Sequence, residues 1–150
     1  MDRHYVIGVD FGSDSARALI VDALDGAEVA EATAAYPRWL RGEYQDASQR
    51  MFRQHPLDYL EALTSSVRGA LEKAGEGVRR KIAALSIDAT GSTPCPVDKG
   101  GTPLALTPAF RDDPDAMFHL WKDHTAIREA GEVTRRFRDN PDGVDYTRYQ

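Results

Sequence analysis

Cysteine and long hydrophobic stretches are almost absent from this sequence. Cys95 is the only cysteine in 150 residues, so no disulfide can form within the chain, which fits the reducing cytoplasm. Gly8 and Asp10 interrupt the first apolar run, and no run approaches the roughly 20 apolar residues of a membrane-spanning helix. We therefore expect a cytoplasmic protein without a membrane anchor.

Positive charge is also scarce. The formal net charge is −5 at pH 7, whereas surfaces that bind nucleic acid or anionic membranes need an excess of Lys and Arg. Arg135, Arg136 and Arg138 form only a local cluster, which we interpret as the solvated end of a helix. With 150 residues, 41% of them hydrophobic, the chain is long enough for one domain with a core and too short for two.

The N-terminal stretch predicts a β-hairpin. Residues 5–9 and 16–21 are short apolar runs rich in β-branched side chains, which is typical of strands in a well-covered sheet. Between the two runs lie an acid, a glycine, hydroxyl side chains and an arginine. The tip of this hairpin is therefore our candidate site for a phosphate group.

Each residue type at the tip has a chemical reason to be there. Gly12 lets backbone N–H groups approach an anion, and Ser13 and Ser15 add hydroxyl donors. Arg17 can neutralise negative charge. Asp10 would repel a bare phosphate, so its presence favours a divalent cation between the two, usually held through water. On these residues alone, an ordinary hairpin with a polar turn remains an alternative to a metal–nucleotide site.

The next part of the chain predicts a mixed α/β layout. Residues 27–35 can supply a third, antiparallel strand, and the polar, aromatic segment 36–54 is predicted to be an irregular surface loop. A helical period begins at Pro56 and ends at Gly75, and residues 82–87 form another apolar run. The order βββαβ implies a crossover into a mixed sheet. The predicted apolar face of the helix comprises Leu57, Leu60, Leu63, Val67, Ala70, Leu71 and Ala74.

A second candidate ligand loop follows the last apolar run. Residues 88–94 are small and polar and contain a glycine, and ligands collect beyond the carboxyl ends of parallel strands. The hydroxyls and N–H groups around Thr90, Gly91 and Ser92 could hold a polyol. A tight turn into the next strand is the alternative, followed by a hairpin turn at residues 98–101.

The segment after residue 110 predicts another helix. Asp115 can cap it, and large side chains then recur at three- and four-residue spacing. These side chains are Met117, Leu120, Trp121, His124 and Ile127. The Trp121 ring could lie against the carbon side of a sugar, and burial in the core on the apolar face of the helix is the alternative.

Five stretches together resemble the N-terminal part of the FGGY carbohydrate kinases. They are VDFGSDSARALIVD, YPRW, FRQHPLDYLEAL, SIDATGSTPCPVD and AMFHLWKDHT. Only the first is generic to the actin-like ATPase superfamily, whereas the TGSTP and LWKDHT segments are far more specific. The match runs from about residue 5 to residue 149. The resemblance implies an α/β domain of the actin-like, ribonuclease-H-like fold, with a mixed sheet and only its N-terminal part in this chain.

The resemblance also implies an activity and a set of site residues. The activity is phosphorylation of a pentulose, L-ribulose, at its terminal hydroxyl, with ATP and Mg²⁺ as cofactors. Asp10 would face the magnesium ion. The loop around the transferred phosphoryl group would comprise Gly12, Ser13, Asp14, Ser15 and Arg17. The sugar would be bound by Thr90, Gly91, Ser92 and Trp121.

The chain departs from the family in length. Family members are several-fold longer and carry a second actin-like domain with the adenosine site. The aspartate that takes the proton from the sugar hydroxyl would lie beyond residue 150, so residues 1–150 would form a partial sugar-binding domain without a catalytic base. An incomplete sheet would also expose apolar surface and favour a homo-oligomer.

Other functions remain open on the sequence. One is a short protein that binds a pentulose or a partner without catalysis. Another is an FGGY kinase that acts on xylulose. An actin-like or chaperone ATPase is a weaker alternative, because nothing outside the first hairpin supports it.

Overall fold

The computed structural model describes residues 3–139 and 141–144. Its strands are β1 (Tyr5–Phe11), β2 (Ser15–Asp22), β3 (Glu28–Ala35), β4 (Gln45–Asp46), β5 (Met51–Gln54), β6 (Ile82–Ala89) and β7 (Phe118–His119). Its α-helices are α1 (Pro37–Leu40), α2 (Pro56–Ala74), α3 (Glu76–Arg79) and α4 (Ile127–Arg138). Two short 3₁₀ helices span Leu104–Leu106 and Pro114–Ala116. The end of the expected family match, residues 145–149, lies outside the described range.

Four strands form the main sheet, in the order β3-β2-β1-β6. β1 pairs antiparallel with β2, and β2 pairs antiparallel with β3, whereas β1 and β6 run parallel. Helix α2 lies in the crossover that leads from β3 to β6. The mixed sheet and the βββαβ order predicted from the sequence are therefore confirmed.

Helix α2 packs on one face of this sheet, chiefly over β2 and β3. Buried and less buried residues alternate along β1 and β2, as the two-residue period of a strand requires. The resulting core contains nine buried residues, which are Ile7, Val9, Phe11, Ala16, Ala18, Ile20, Tyr36, Ala62 and Ala70. This layer of helix on sheet gives β1 and β2 a rigid base.

Most of the predicted apolar face of α2 packs against the core, through Ala70 and the partly buried Leu63, Val67, Leu71 and Ala74, but the placement of Leu60 on that face is wrong. Leu60 is 49% exposed, whereas Asp58 is fully buried. The buried residues of α2 are Pro56, Asp58, Ala62, Ser66 and Ala70. Small residues at four-residue spacing let the helix lie close to the strands, and a Cβ atom on Gly69 would meet the Cβ of Ala32 at 3.0 Å. This close approach decides which face of α2 is buried.

Strand β6 has little cover on either face. Leu85 and Ile87 lie on the α2 side of the sheet, beside Ile7 and Val9, yet they are 46% and 56% exposed. Parallel strands are normally covered on both faces. β6 is therefore the apolar edge that the described structure leaves open, and the expected homo-oligomer stays a prediction.

Two segments differ from their predicted structure. The segment 36–54 contains α1, β4 and β5 in place of an irregular loop. The helix expected after Asp115 is wrong, because Asp113 caps a 3₁₀ helix, β7 follows it, and α4 begins only at Ile127. In both segments, strand pairing in a second sheet of order β4-β5-β7 overrides the local pattern.

Two smaller predictions agree with the structure. Asp98 and Thr102 close the hairpin turn through a 2.9 Å bond from the Asp98 N–H to the Thr102 carbonyl. Arg135, Arg136 and Arg138 occupy the exposed last turn of α4. No helix in the described part of the chain has the length and apolar character needed to cross a membrane.

The buried carboxylate of Asp58 ties α1 to α2. It accepts hydrogen bonds from the Arg38 Nη1 at 2.7 Å and from the backbone N–H groups of Arg38 and Trp39 at 3.3 and 3.1 Å. The Arg38 side chain is 21% exposed and also contacts the exposed Glu61 through two hydrogen bonds. Asp58 therefore accepts hydrogen bonds from two N–H groups in the first turn of α1 and from the Arg38 guanidinium.

We expect Asp58→Ala to lower the free energy of unfolding by about 3 kcal/mol, because it leaves a largely buried Arg38 and two N–H groups without their acceptor. Glu61→Gln is the matched control, and its cost should stay below about 1 kcal/mol because Glu61 is solvated. Urea unfolding of both variants measures the difference. Equal losses would contradict the assignment of the main anchor to Asp58.

Candidate functional site

The parallel pairing of β1 with β6 brings the two candidate loops to the same edge of the sheet. Asp10 lies opposite Asp88, and Phe11 lies opposite Ala89. Beyond the last pair, the backbone N–H of Thr90 donates to the Phe11 carbonyl at 3.2 Å. The hairpin tip and the loop that begins at Thr90 therefore leave neighbouring strands side by side.

The hairpin tip has the form of an anion-binding turn. The Gly12 N–H donates to the Ser15 carbonyl at 2.9 Å, which closes the turn. Within the described residues, the N–H groups of Ser13 and Asp14 donate no hydrogen bond, so both are available to a ligand. The Ser15 hydroxyl donates to the Asp14 carboxylate at 2.9 Å. Asp14 can therefore donate its backbone N–H to a ligand, while its carboxylate accepts the hydrogen bond from Ser15.

Asp10 and Arg17 share one face of the sheet. They are cross-strand partners in the β1–β2 ladder, and both side chains are exposed on the face opposite α2. With Asp88 they line a shallow cavity of about 220 Å³. None of the three forms an ion pair with another described residue. Two carboxylates and one guanidinium are therefore free to act on a ligand.

Asp88 is a site residue that the sequence reasoning missed. Its carboxylate accepts only the N–H of the following residue, Ala89, at 2.9 Å among the described groups. The signal was present, because both β1 and β6 reach an aspartate close to their carboxyl ends. Only the strand register, which places Asp10 directly beside Asp88, shows that the two belong to one site.

The loop that begins at Thr90 contains hydrogen-bond contacts between its own residues. The Thr93 hydroxyl lies 3.3 Å from the Gly91 carbonyl and 3.4 Å from the Thr90 hydroxyl. Ser92 has a φ of 55°, in the left-handed region that costs a non-glycine residue about 1 kcal/mol. Gly91 and Ser92 are both exposed. The loop therefore presents polar groups to solvent in one strained conformation.

Trp121 lies in a turn and is 59% exposed. The alternative in which it packs into a helix core is wrong. Its neighbour Leu120 is only 4% exposed and donates its N–H to the Phe52 carbonyl at 3.1 Å. The next residue, Lys122, places its Nζ 4.8 Å from the Trp39 ring and 4.4 Å from the Phe52 ring. The Trp121 indole is therefore exposed to solvent, whereas its neighbours Leu120 and Lys122 both contact Phe52.

The structure brings some of the predicted residues together and links Trp121 to them only through its chain segment. The β1–β2 hairpin, which lies beside the loop of Thr90, carries Asp10, Gly12, Ser13 and Arg17. Trp121 makes no hydrogen bond or ring contact with Gly91 or Ser92 among the described residues. Its segment meets that loop through the His119 N–H, which donates to the Pro94 carbonyl at 2.9 Å.

The residues at this edge fit a magnesium ion bound together with phosphate. The described residues contain no group of three or more His, Cys, Asp or Glu side chains that could hold a metal by themselves. Mg²⁺ does not require such a cage, because it usually keeps several waters and binds one or two carboxylates plus substrate phosphates. Asp10 and Asp88, beside the free N–H groups of the hairpin tip, supply that type of donor set.

Comparison with known proteins shows which enzymes the chain is similar to. No family model matches it. The ribulokinase of Vibrio parahaemolyticus is 45% identical over 147 residues, which cover 98% of this chain and 26% of that protein. The ribulokinase of Geobacillus thermodenitrificans is 39% identical over 87% of this chain and 24% of its own length. The chain thus spans about a quarter of the length of the curated relatives it matches.

A solved structure supports the fold. The gluconate kinase of Lactobacillus acidophilus superposes on 92% of this chain and 25% of its own chain, with a TM-score of 0.62 and 17% identity. The chain therefore has the actin-like fold of the FGGY carbohydrate kinases. Its sequence is similar to the N-terminal part of ribulokinases.

We expect Trp121→Ala to change the free energy of unfolding by less than about 0.5 kcal/mol, because the side chain is mostly exposed. Leu120→Ala is the neighbouring control, and burial predicts a loss of about 2–5 kcal/mol for it. Thermal unfolding of the two variants measures both values. A loss at Trp121 as large as at Leu120 would show that the indole is part of the core.

Proposed function

We propose that this chain is the N-terminal, sugar-binding part of a ribulokinase, which transfers the terminal phosphoryl group of ATP to L-ribulose and yields L-ribulose 5-phosphate. The observation that carries the proposal is the placement of two polar loops on adjacent parallel strands at one edge of the sheet. The 45% identity to a ribulokinase across nearly the whole chain supports the choice of sugar.

On the phosphate side, the hairpin tip would hold the transferred group. Backbone N–H groups of Ser13 and Asp14 and the charge of Arg17 favour an anion at the tip. Asp10, with Asp88 beside it, would hold Mg²⁺, which neutralises charge on the phosphates when bound. Gly12 and Ser15 close the turn that aims these groups.

On the sugar side, the loop that follows β6 would bind hydroxyl groups. The exposed polar groups of Gly91 and Ser92, with the half-buried Thr90, match the hydrogen-bonding pattern of a polyol. The exposed Trp121 offers an apolar plane to the carbon side of a sugar. These roles follow the resemblance residue by residue and rest on the exposure of each group.

The remaining parts of the reaction are proposed to lie in a second domain. That domain would supply the adenosine site and the aspartate that accepts the proton of the sugar hydroxyl. Loss of a general base alone costs about 10²–10⁴ in rate, and the site between the two domains would be incomplete. We therefore propose that residues 1–150 alone have no kinase activity, that the complete enzyme acts in the cytoplasm on a small sugar, and that it needs neither nucleic acid nor a membrane.

The proposal is tested in a fusion in which this chain replaces the matching quarter of the Vibrio parahaemolyticus ribulokinase. The fusion should release ADP only when L-ribulose is present, and the 150-residue chain alone should release none. Asp10→Asn in the fusion should lower kcat by about 10² or more, with little change in L-ribulose affinity, because the metal contact acts on the phosphate side. Asp25→Asn, in the turn between β2 and β3, is the control and should leave turnover unchanged.

Each contrary result has a distinct meaning. Unchanged turnover in Asp10→Asn would contradict the metal role of this carboxylate. Sugar binding by calorimetry without turnover in the wild-type fusion would favour a non-catalytic pentulose binder. A higher kcat/KM for xylulose than for L-ribulose would favour a different FGGY kinase, and ADP release by the isolated chain would contradict the need for a second domain.

A further inference from the structure

Strand β5 carries two buried polar residues in succession. Arg53 is 3% exposed and Gln54 is 1% exposed. Neighbouring residues of a strand point to opposite sides, so the two side chains reach different parts of the molecule. A buried polar side chain is costly unless it is paired. Gln54 finds a partner at the hairpin tip and Arg53 finds partners around Trp121, although the Arg53 Nε makes no hydrogen bond among the described groups.

Gln54 holds the tip of the β1–β2 hairpin. Its Nε2 donates to the Ser13 carbonyl at 2.7 Å, and its Oε1 accepts the Tyr59 hydroxyl proton at 2.7 Å. The amide is therefore fixed at both ends, with α2 on one side and the tip on the other. Because the bond ends at the Ser13 carbonyl, Gln54 fixes the peptide between Ser13 and Asp14, whose N–H group is one of the two available to a ligand.

Arg53 holds the segment that contains Trp121. Its Nη2 donates to the Thr125 hydroxyl at 2.9 Å and to the Asp115 carboxylate at 3.3 Å. Its Nε lies 3.3 Å from the Asp123 carboxylate, and its Nη1 contacts Nδ1 of His119. One guanidinium thus reaches four residues on both sides of the turn that presents the indole.

Asp123 completes this attachment. Its carboxylate accepts the Phe52 N–H at 2.8 Å and the Thr125 hydroxyl at 2.6 Å. Burial raises the pKa of Asp123, but these hydrogen bonds and the Arg53 charge outweigh burial and keep the pKa below its ordinary value. The carboxylate is therefore charged at neutral pH and pairs with Arg53.

An aromatic column runs beside the two polar contacts. The Tyr59 ring stacks on Phe118 of β7 at 4.3 Å and on Phe11 at the end of β1 at 5.5 Å between ring centroids. Burial raises the pKa of Tyr59 to about 12, so its hydroxyl remains a donor to Gln54. The same ring thus touches the strand that leads to the hairpin tip and the strand that leads to Trp121.

We propose that Arg53 and Gln54 are positioning residues that fix the separation between the phosphate-binding hairpin and the sugar-facing Trp121. The inference rests on the function proposed above. Gln54 places the tip, Arg53 places the indole, and the single strand β5 sets both positions with respect to each other. Directed hydrogen bonds define this separation more sharply than apolar contacts, which tolerate sliding.

The kinetic test uses the fusion enzyme with Arg53→Met and Gln54→Met. Gln54→Met nearly keeps the side-chain length, Arg53→Met keeps the apolar stem of the arginine, and both remove the hydrogen bonds. Arg53→Met should raise KM for L-ribulose about 10- to 100-fold with a smaller change in kcat, because it displaces the sugar contact. Gln54→Met should lower kcat about 10- to 100-fold with KM for L-ribulose nearly unchanged, because it displaces the phosphoryl contact. Arg53→Lys, which keeps the charge, should recover part of the sugar affinity.

Gln45→Met is the matched control, because the Gln45 side chain also donates to a backbone carbonyl, that of Trp39, at 2.8 Å and makes no hydrogen bond to either segment among the described residues. It should leave kcat and KM unchanged. A purely structural role would reduce the amount of folded enzyme without splitting KM from kcat. Equal effects of Arg53→Met and Gln54→Met on both parameters, or none on either, would overturn the proposal.

Hydrogen exchange on the 150-residue chain tests the same inference without activity. Gln54→Met should speed exchange of the two N–H groups bonded to tip carbonyls, Gly12 to Ser15 and Tyr36 to Asp14, and leave residues 119–125 unchanged. Arg53→Met should do the reverse. Uniform acceleration along the chain, or none in either segment, would overturn the positioning role. If the wild-type fusion shows no kinase activity, the proposed function fails, while the exchange pattern still decides the roles of Arg53 and Gln54.

Discussion

The parallel ladder between β1 and β6 is the constraint on which the candidate site depends. Its register sets Asp10 beside Asp88, and the Thr90 N–H extends the ladder by one bond to the Phe11 carbonyl. A shift of one residue would turn one of the two carboxylates to the other face of the sheet. Because β1 also pairs with β2, the same register brings Arg17 to the two carboxylates. One pairing between two strands thus assembles the charged groups of the site.

The packing around this ladder is uneven. Helix α2 lies close to β2 and β3 through small residues, and the Asp58 carboxylate ties α1 to it, so the hairpin rests on a rigid layer. β6 lies beyond the reach of α2 and keeps Leu85 and Ile87 exposed. The strand that leads into the candidate loop at Thr90 is therefore the least covered strand of the main sheet.

The sequence predicts those parts of the structure in which local pattern and tertiary packing agree. The first hairpin, the extent of α2 and the strand that begins at Ile82 all have a clear period, and turn residues such as Gly75 end them. The helix expected around Trp121 does not form, because bonds from Arg53 to Asp115 and Thr125 hold that segment against β5.

Some polar residues of the site can be predicted from the local sequence, and others only from the folded structure. Asp10 and Arg17 can be found from the sequence because they stand in a hairpin of recognisable chemistry. Asp88 becomes part of the site only through the strand register. Arg53 and Gln54 have no local signal, since two polar residues in succession suggest a surface loop until their partners, far along the chain, are known.

The most direct test of the central claim is paramagnetic relaxation of backbone amides by Mn²⁺, used in place of Mg²⁺ with inorganic triphosphate. Broadening centred on residues 12–15 and 88–92, and lost in Asp10→Asn, is the predicted result; broadening centred elsewhere, or unaffected by that substitution, would contradict it.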